Sequence, residues 1–250
     1  LVQNESILIM KNTAELLEKV IDFHGGADFW NQQQGLEAHL NIGGVTWPLK
    51  GHDDPLKDVQ FKADLHQQKG IWKGIFSTNT SSEFSPLKVS LLDGDKVEES
   101  LFQPKDSFQG HTIETPWSKL QLVYFSSYAT WNYLTTPFNF LMSGVQVKEL
   151  EPREEGNEVL RRLEVIYPAD FATHSRRQIF YYSEEGFLRR HDYWPEVLGG
   201  SSATQIVENY KSFSGIQTGT KRRIYILNED GSYAKDPVLV SIDIKGLTFN

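Results

Sequence analysis

Apolar positions recur along this chain with two different periods. In "NTAELLEKVIDFHGG", Leu16, Leu17, Val20 and Ile21 fall at helical spacing, which predicts a helix from Asn12 that lays one face on a sheet. Asn12 with Glu15 three residues on fits a capping box, and Gly25 fits the position just past the helix end. His24, beside that glycine, is placed to cap the last carbonyls. A short second helical turn is expected at "ADFWNQQQ". From residue 36 onward the pattern becomes short alternating runs broken by Gly, Asn, Asp and Pro, the signal of an antiparallel meander. "GLEAHLNIGG", "DVQFKADLHQQKGIWKGIFST" and "PLKVSLLDGDKVEES" read as strands. The second run splits near Gln68 to Gly70, and the third is a hairpin around Asp93–Gly94–Asp95. "FQPKDSFQGHTIETPW" reads as a loop.

Residues 117 to 143 break the alternation. Leu120, Tyr124, Ser127 or Tyr128, and Trp131 recur near helical spacing, so Lys119 to Leu134 is predicted to be a helix that stops before Thr136–Pro137, where the residue preceding proline is driven out of the α region. This helix, "YFSSYATWNYLTTPF" at its heart, is expected to give one face to the core and the other to a pocket wall. Strands return in "EVLRRLEVIYP", in "SRRQIFYYSEEGFLRRHDYWP" with a turn at Glu184–Glu185–Gly186, in "ATQIVENYKSFSGIQ", in "KRRIYILN" and in "VLVSIDIKGLTF". "TGTKRR" is read as a tight connection hinged at Gly215 and Gly219. Ile179 and Tyr181 point one way and Phe180 and Tyr182 the other, so both faces of that strand are apolar.

Composition narrows the function classes. Hydrophobic residues make up 39% of the 250 positions and charged residues 23%, as in a soluble globular chain. The 12% aromatic share means that flat, bulky side chains supply much of the buried area. A net charge of −8 repels phosphate backbones, and nucleic acid is not expected as a partner. The pairs Arg161–Arg162, Arg176–Arg177, Arg189–Arg190 and Arg222–Arg223 are expected to place one arginine in solvent and its neighbour in an ion pair. The absence of cysteine removes disulfides, thiolate metal sites and a cysteine nucleophile. No run approaches a transmembrane span. Residues 1–11 are expected to be a flexible N-terminal extension and residues 12–250 a single domain. Residence is cytoplasmic if Met10 is the true start, and periplasmic if an exported precursor was processed.

The order of elements carries a resemblance. An N-terminal helix ends in "HGG" with "FW" just beyond, and a run of antiparallel strands follows. A helix containing "YF..YA.WNYL..PF" then precedes "RRLEVIYP", "FYYSEEGFLRRHDY" and "Y..F.GI". Over residues 12 to 249 this resembles a bacterial branch of the LolA/LolB-like, outer-membrane lipoprotein-sorting group. The resemblance implies a mainly β (α+β) fold: one curved, unclosed antiparallel half-barrel wrapped round an N-terminal helix and a mid-chain aromatic helix. It also implies an apolar cavity between sheet and helices, which the carriers of that group use to hold acyl chains.

Reactive signatures are few. No phosphate loop, zincin motif or nucleophile elbow is present. His39 and His66 lie in strands that could be neighbours and with Glu37 or Asp64 could form a metal site, but their spacing demands none, so neither metal nor cofactor is expected. In "RRHDYW", alternation puts Arg189, His191 and Tyr193 on one face, where the cation would lower the histidine pKa. The first expectation is a binder or carrier of a lipid-like or aromatic small molecule, such as an acyl chain. Its walls would be Trp47, Phe61, Trp72, Trp117, Tyr124, Tyr128, Trp131, Tyr133, Phe138, Phe180, Tyr182 and Tyr193. The alternative is a cofactor-free enzyme using His191, Arg189 or His174. A third reading is a scaffold with a filled core, offering its open sheet edge to a partner protein.

Overall fold

The alternating runs become thirteen strands of a single antiparallel sheet. A computed structural model describes the backbone of residues 2–250 and the side chains of residues 10–250. One meander comprises β1 (Gly35–Gly43), β2 (Val59–Asp64), β3 (Gly70–Lys73), β4 (Thr80–Ser85), β5 (Lys88–Asp93) and β6 (Lys96–Phe102). A second comprises β7 (Gln146–Glu155), β8 (Glu158–Ile166), β9 (Arg177–Tyr182), β10 (Leu188–Tyr193), β11 (Ala203–Phe213), β12 (Ile216–Ile226) and β13 (Val240–Phe249). The spatial order runs from β6 back to β1, crosses to β13, and continues down to β7. The β1–β13 seam pairs Leu36 with Phe249 at one end and Gly43 with Ser241 at the other. β6 and β7 do not pair with each other, so the twisted sheet curls without closing.

Four α-helices accompany the sheet among the described residues: α1 (Val2–Phe23), α2 (Ala27–Gln32), α3 (Thr46–Leu49) and α4 (Lys119–Thr135). α1 starts well ahead of Asn12, so the expected Asn12–Glu15 capping box lies inside the helix and caps nothing. Leu1 lies outside the described residues. The other end behaves as the sequence indicated: His24 Nδ1 donates to the Val20 carbonyl at 2.7 Å. Leu16 and Val20 of α1 bury against Leu163, Phe180 and Val207 of the sheet.

α4 spans the connection between the two meanders. Ser118 Oγ accepts the Gln121 N–H at 3.2 Å and Gln121 Oε1 accepts the Ser118 N–H at 2.9 Å, a capping box that starts the helix cleanly. Thr136, in extended conformation before Pro137, ends it. Every residue from Leu120 to Thr135 is buried, so the helix is enclosed all round instead of resting one stripe on a surface. Its polar side chains are satisfied inside: Trp72 Nε1 donates to Ser127 Oγ at 3.0 Å, and Asn132 Nδ2 donates to the Tyr128 and Ala172 carbonyls. Trp131 Nε1 donates to the Asp64 carbonyl at 2.7 Å, tying the helix to the β2 end.

Some expectations need correction. Gly219 is no hinge: it pairs with Tyr210 inside β12, and a Cβ there would come within 2.2 Å of Val207. The turn is at Ser214–Gly215, both with positive φ. β4 and β7 were not read as strands, because "TSSEFS" and "QVKELEPREE" are too polar to show alternation. The two-faced apolar character of β9 holds. Its outer face is covered by neither a helix nor a cavity but by the buried Arg190 guanidinium over Tyr181, with Tyr233 of the β12–β13 connection on top.

Candidate functional site

The concave side is not filled to the last atom. A cavity of about 150 Å³ lies between α4, β1 and the strands β10 to β13. On α4 the wall is Phe125, Ser126, Ala129, Thr130 and Tyr133, one helical face on which three small residues sit among bulky ones. That loss of side-chain volume makes the space. The facing strands contribute Tyr193, Ala203, Ile224 and Ile242, while Ile113 and Ile226 reach both cavity and solvent and mark its mouth. Almost all the lining is apolar, the character of a site for a hydrophobic molecule.

Beneath the cavity the chemistry becomes polar. The Tyr193 hydroxyl meets that of Tyr133 at 2.8 Å, and Tyr133 meets His174 Nε2 at 2.7 Å. His174 Nδ1 faces the Tyr128 hydroxyl at 3.3 Å, and the imidazole stacks on the Tyr193 ring at 4.1 Å. Burial lowers the His174 pKa to about 3 and raises that of Tyr133, so both are neutral at ordinary pH. His191 lies one row further in, donating Nε2–H to Gln178 Oε1 at 2.6 Å and stacking on Phe180 at 4.0 Å. Desolvation first, then His174 and Arg222, hold it well below the ordinary histidine range.

Arg189 is not on the His191 face. An irregularity between Leu188 and Arg190 breaks the alternation, and Arg189 pairs instead with Glu158 at 3.1 Å in a solvent-exposed position. The cation that faces His191 is Arg222, which the sequence reading passed over as half of an ordinary basic pair.

Among solved structures, the chain is similar to a LolA superfamily protein from Nitrosomonas europaea, with a TM-score of 0.55, 10% identity, and coverage of 95% of this chain and 93% of that one. It is equally similar to a domain assigned to the outer membrane lipoprotein-sorting proteins, from Vibrio parahaemolyticus, with a TM-score of 0.55, 12% identity, and coverage of 96% and 93%. The fold is LolA-like. No family model and no curated protein matches the sequence.

Within this LolA-like half-barrel the twelve aromatic residues singled out from the sequence separate into groups. Trp47, Tyr133 and Tyr193 line the cavity. Tyr128 stands behind its wall on His174. Phe61 packs on Trp72 at 4.4 Å, and Trp117 and Tyr124 pack round Phe108. Trp131 faces the β2 end, Phe138 stacks on Trp30 at 4.1 Å, and Phe180 and Tyr182 lie in the cluster under α1. Phe125, Ala129, Ile224 and Ile242 line the cavity without having been singled out. The available signal was Ser126, Ala129 and Thr130 at helical spacing in an otherwise bulky helix.

The four residues weighed as metal ligands are engaged separately. His39 pairs with Asp58 at 2.6 Å, His66 Nε2 donates to the Gln33 carbonyl, Glu37 pairs with Lys62, and Asp64 accepts the backbone N–H groups of His66 and Gln67. Among the described residues no group of three or more potential ligands is placed to hold a metal ion, and no helix is long and apolar enough to cross a membrane.

Proposed function

We propose that this protein binds a hydrophobic small molecule, an acyl chain or a single aromatic ring, in the cavity between α4 and the sheet. The observation that carries this reading is an apolar hollow kept open by Ser126, Ala129 and Thr130 on a helix that could have been packed solid. A hollow of about 150 Å³ is the size that holds one benzene ring in an apolar protein interior. It therefore fits one ring or a chain segment, with anything larger leaving through the mouth at Ile113 and Ile226. The assignment of a similarly folded domain to lipoprotein sorting is consistent with such a ligand. Burying about six methylenes gains on the order of 5 kcal/mol, a Kd on the order of 0.2 mM before any polar contact is counted.

Binding of octanol, followed by displacement of the neutral dye N-phenylnaphthylamine, tests the reading. Wild-type protein should take up the dye and release it to octanol. Ala129→Phe, which fills the hollow, should weaken dye binding at least tenfold while leaving the fold intact by circular dichroism. A wild-type protein that takes up neither compound would exclude a hydrophobic binder. The cofactor-free enzyme reading has less support, because both His174 nitrogens face tyrosine hydroxyls and His191 is held by Gln178 and Phe180.

A further inference from the structure

Arg222 is buried to 4% exposure on the concave face of β12, and among the described residues no carboxylate pairs with it. Its partners are all neutral: Gln205 Oε1 at 2.8 Å from Nη1, the Tyr133 carbonyl at 3.2 Å from Nη2, and the Gly219 carbonyl at 3.3 Å from Nε. A guanidinium carries five N–H groups, so donors on both terminal nitrogens are left over. A charged group taken from water without a counterion costs several kcal/mol, and such an arrangement persists where something else recovers that cost. Arg190 shows the alternative in the same molecule: equally buried, it is neutralised by Asp192 and Glu155.

Two further donors lie in the same layer. The Tyr182 hydroxyl is buried without a hydrogen-bond partner, and Gln205 Nε2, buried as well, makes no well-aligned bond and has the Tyr133 hydroxyl as its neighbour. Gln205 is held by Arg222, and Tyr182 is close enough for the Arg222 charge to act on its titration. His24 and His191, which also feel that charge, are neutral and do not offset it.

The register places this layer directly under the cavity. Ala203, which lines the cavity, is two residues from Gln205 on the same face of β11. Ile224, which also lines it, is two residues from Arg222 on the same face of β12, a step of about 7 Å. Arg222 is also the cross-strand partner of Ile242, another lining residue. Between guanidinium and cavity stands the Tyr133 ring, 5.7 Å from the charge. The groups that hold the Tyr133 hydroxyl are side chains, His174 and Tyr193 with Gln205 beside them, so it can turn without breaking a backbone bond.

Building on the binding reading above, we propose that the ligand is a monocarboxylic acid. Its apolar body fills the cavity, and its carboxylate is received beneath by Arg222, with Gln205 and Tyr182 as additional donors. The acidity belongs to the ligand because the protein supplies none: the charge is completed only when the cavity is occupied. A guanidinium with free N–H groups on both terminal nitrogens suits a planar carboxylate in particular.

The test compares octanoate with octanol at neutral pH and constant ionic strength, by calorimetry and by displacement of N-phenylnaphthylamine. Octanoate should bind at least tenfold more tightly than octanol. In Arg222→Met the preference should vanish while octanol still binds, and the melting temperature without ligand should rise, since an uncompensated buried charge has been removed. The wild-type comparison stands even if the variant fails to fold. Equal binding of octanoate and octanol would overturn the inference and leave the hydrophobic-binder reading in place, whereas binding of neither would remove that reading as well. A saturable rise in melting temperature with sodium bromide alone, absent in Arg222→Met, would assign the site to a free inorganic anion and overturn the carboxylate assignment.

Discussion

Lys50 illustrates how much a single side chain organises here. It is 1% exposed, and its ammonium donates to the carbonyls of Thr112, Ile113 and Thr115 at 3.1, 2.5 and 2.9 Å while lying 4.8 Å from the centre of the Trp117 ring. Three donors meet three acceptors, and the segment they hold carries Ile113 to the cavity mouth. Lys50→Met should leave three carbonyls without a charged donor and cost on the order of 3 kcal/mol, read as a lower urea midpoint, with earlier proteolytic cutting between residues 109 and 117. Histidine burial sets the acid response. His24 titrates at about 4 and His174 at about 3, both lowered chiefly by desolvation, whereas an unfolded histidine titrates at 6.5. Between 6.5 and those values the unfolded chain takes up protons that the folded chain refuses. From these groups stability is retained above that window and lost as pH falls through it, and His191 adds a contribution of the same sign. Urea midpoints that stayed constant from about pH 7 down to about pH 4 would contradict this. Arg222 marks the limit of residue-level reading: its neighbour Arg223 pairs with Asp243 as expected, but nothing in "KRRIYILN" distinguishes a buried guanidinium from a solvated one.

At the scale of elements, α4 was the most legible part of the chain, because a dense aromatic run and Pro137 leave few alternatives to a helix, and the expected Lys119 to Leu134 ends one residue short of the observed Thr135. Its start depends on the reciprocal bonds between Ser118 and Gln121. Ser118→Ala should therefore cost about 1 kcal/mol, seen as a lower melting temperature with the fold unchanged. The expectation that half of α4 would face a pocket was too generous, since the hollow occupies only the face around Ala129 and the rest of the helix is packed. β7 escaped detection because an edge strand keeps much of its surface in water and needs no apolar alternation, and β4, paired on both sides, because one of its buried inward positions is Ser82. Arg189 was misplaced for a different reason: alternation assigns faces only while the register is regular, and one irregularity after Leu188 moves a side chain to the other side.

Over the whole molecule, alternating runs on either side of one helix, with turns at Gly94 and Gly186, implied an antiparallel meander, the resemblance to the LolA/LolB-like group implied that it stays open round a helical centre, and that is the arrangement found. The cavity was less legible, because a hollow depends on which small residues meet across the sheet, and that follows from strand order and register, not from composition. The order itself has a consequence for how the chain comes into being. Each meander is assembled from neighbours in sequence, but the two are joined by pairing the first strand with the last. During synthesis, β1 must wait with one bare backbone edge until β13 emerges, and β12 waits beside it. A chain cut before Val240 should thus present two sticky edges in the middle of its sheet and precipitate on expression. The missing residues 240–250, supplied as a separate peptide, should rescue soluble protein by filling the gap.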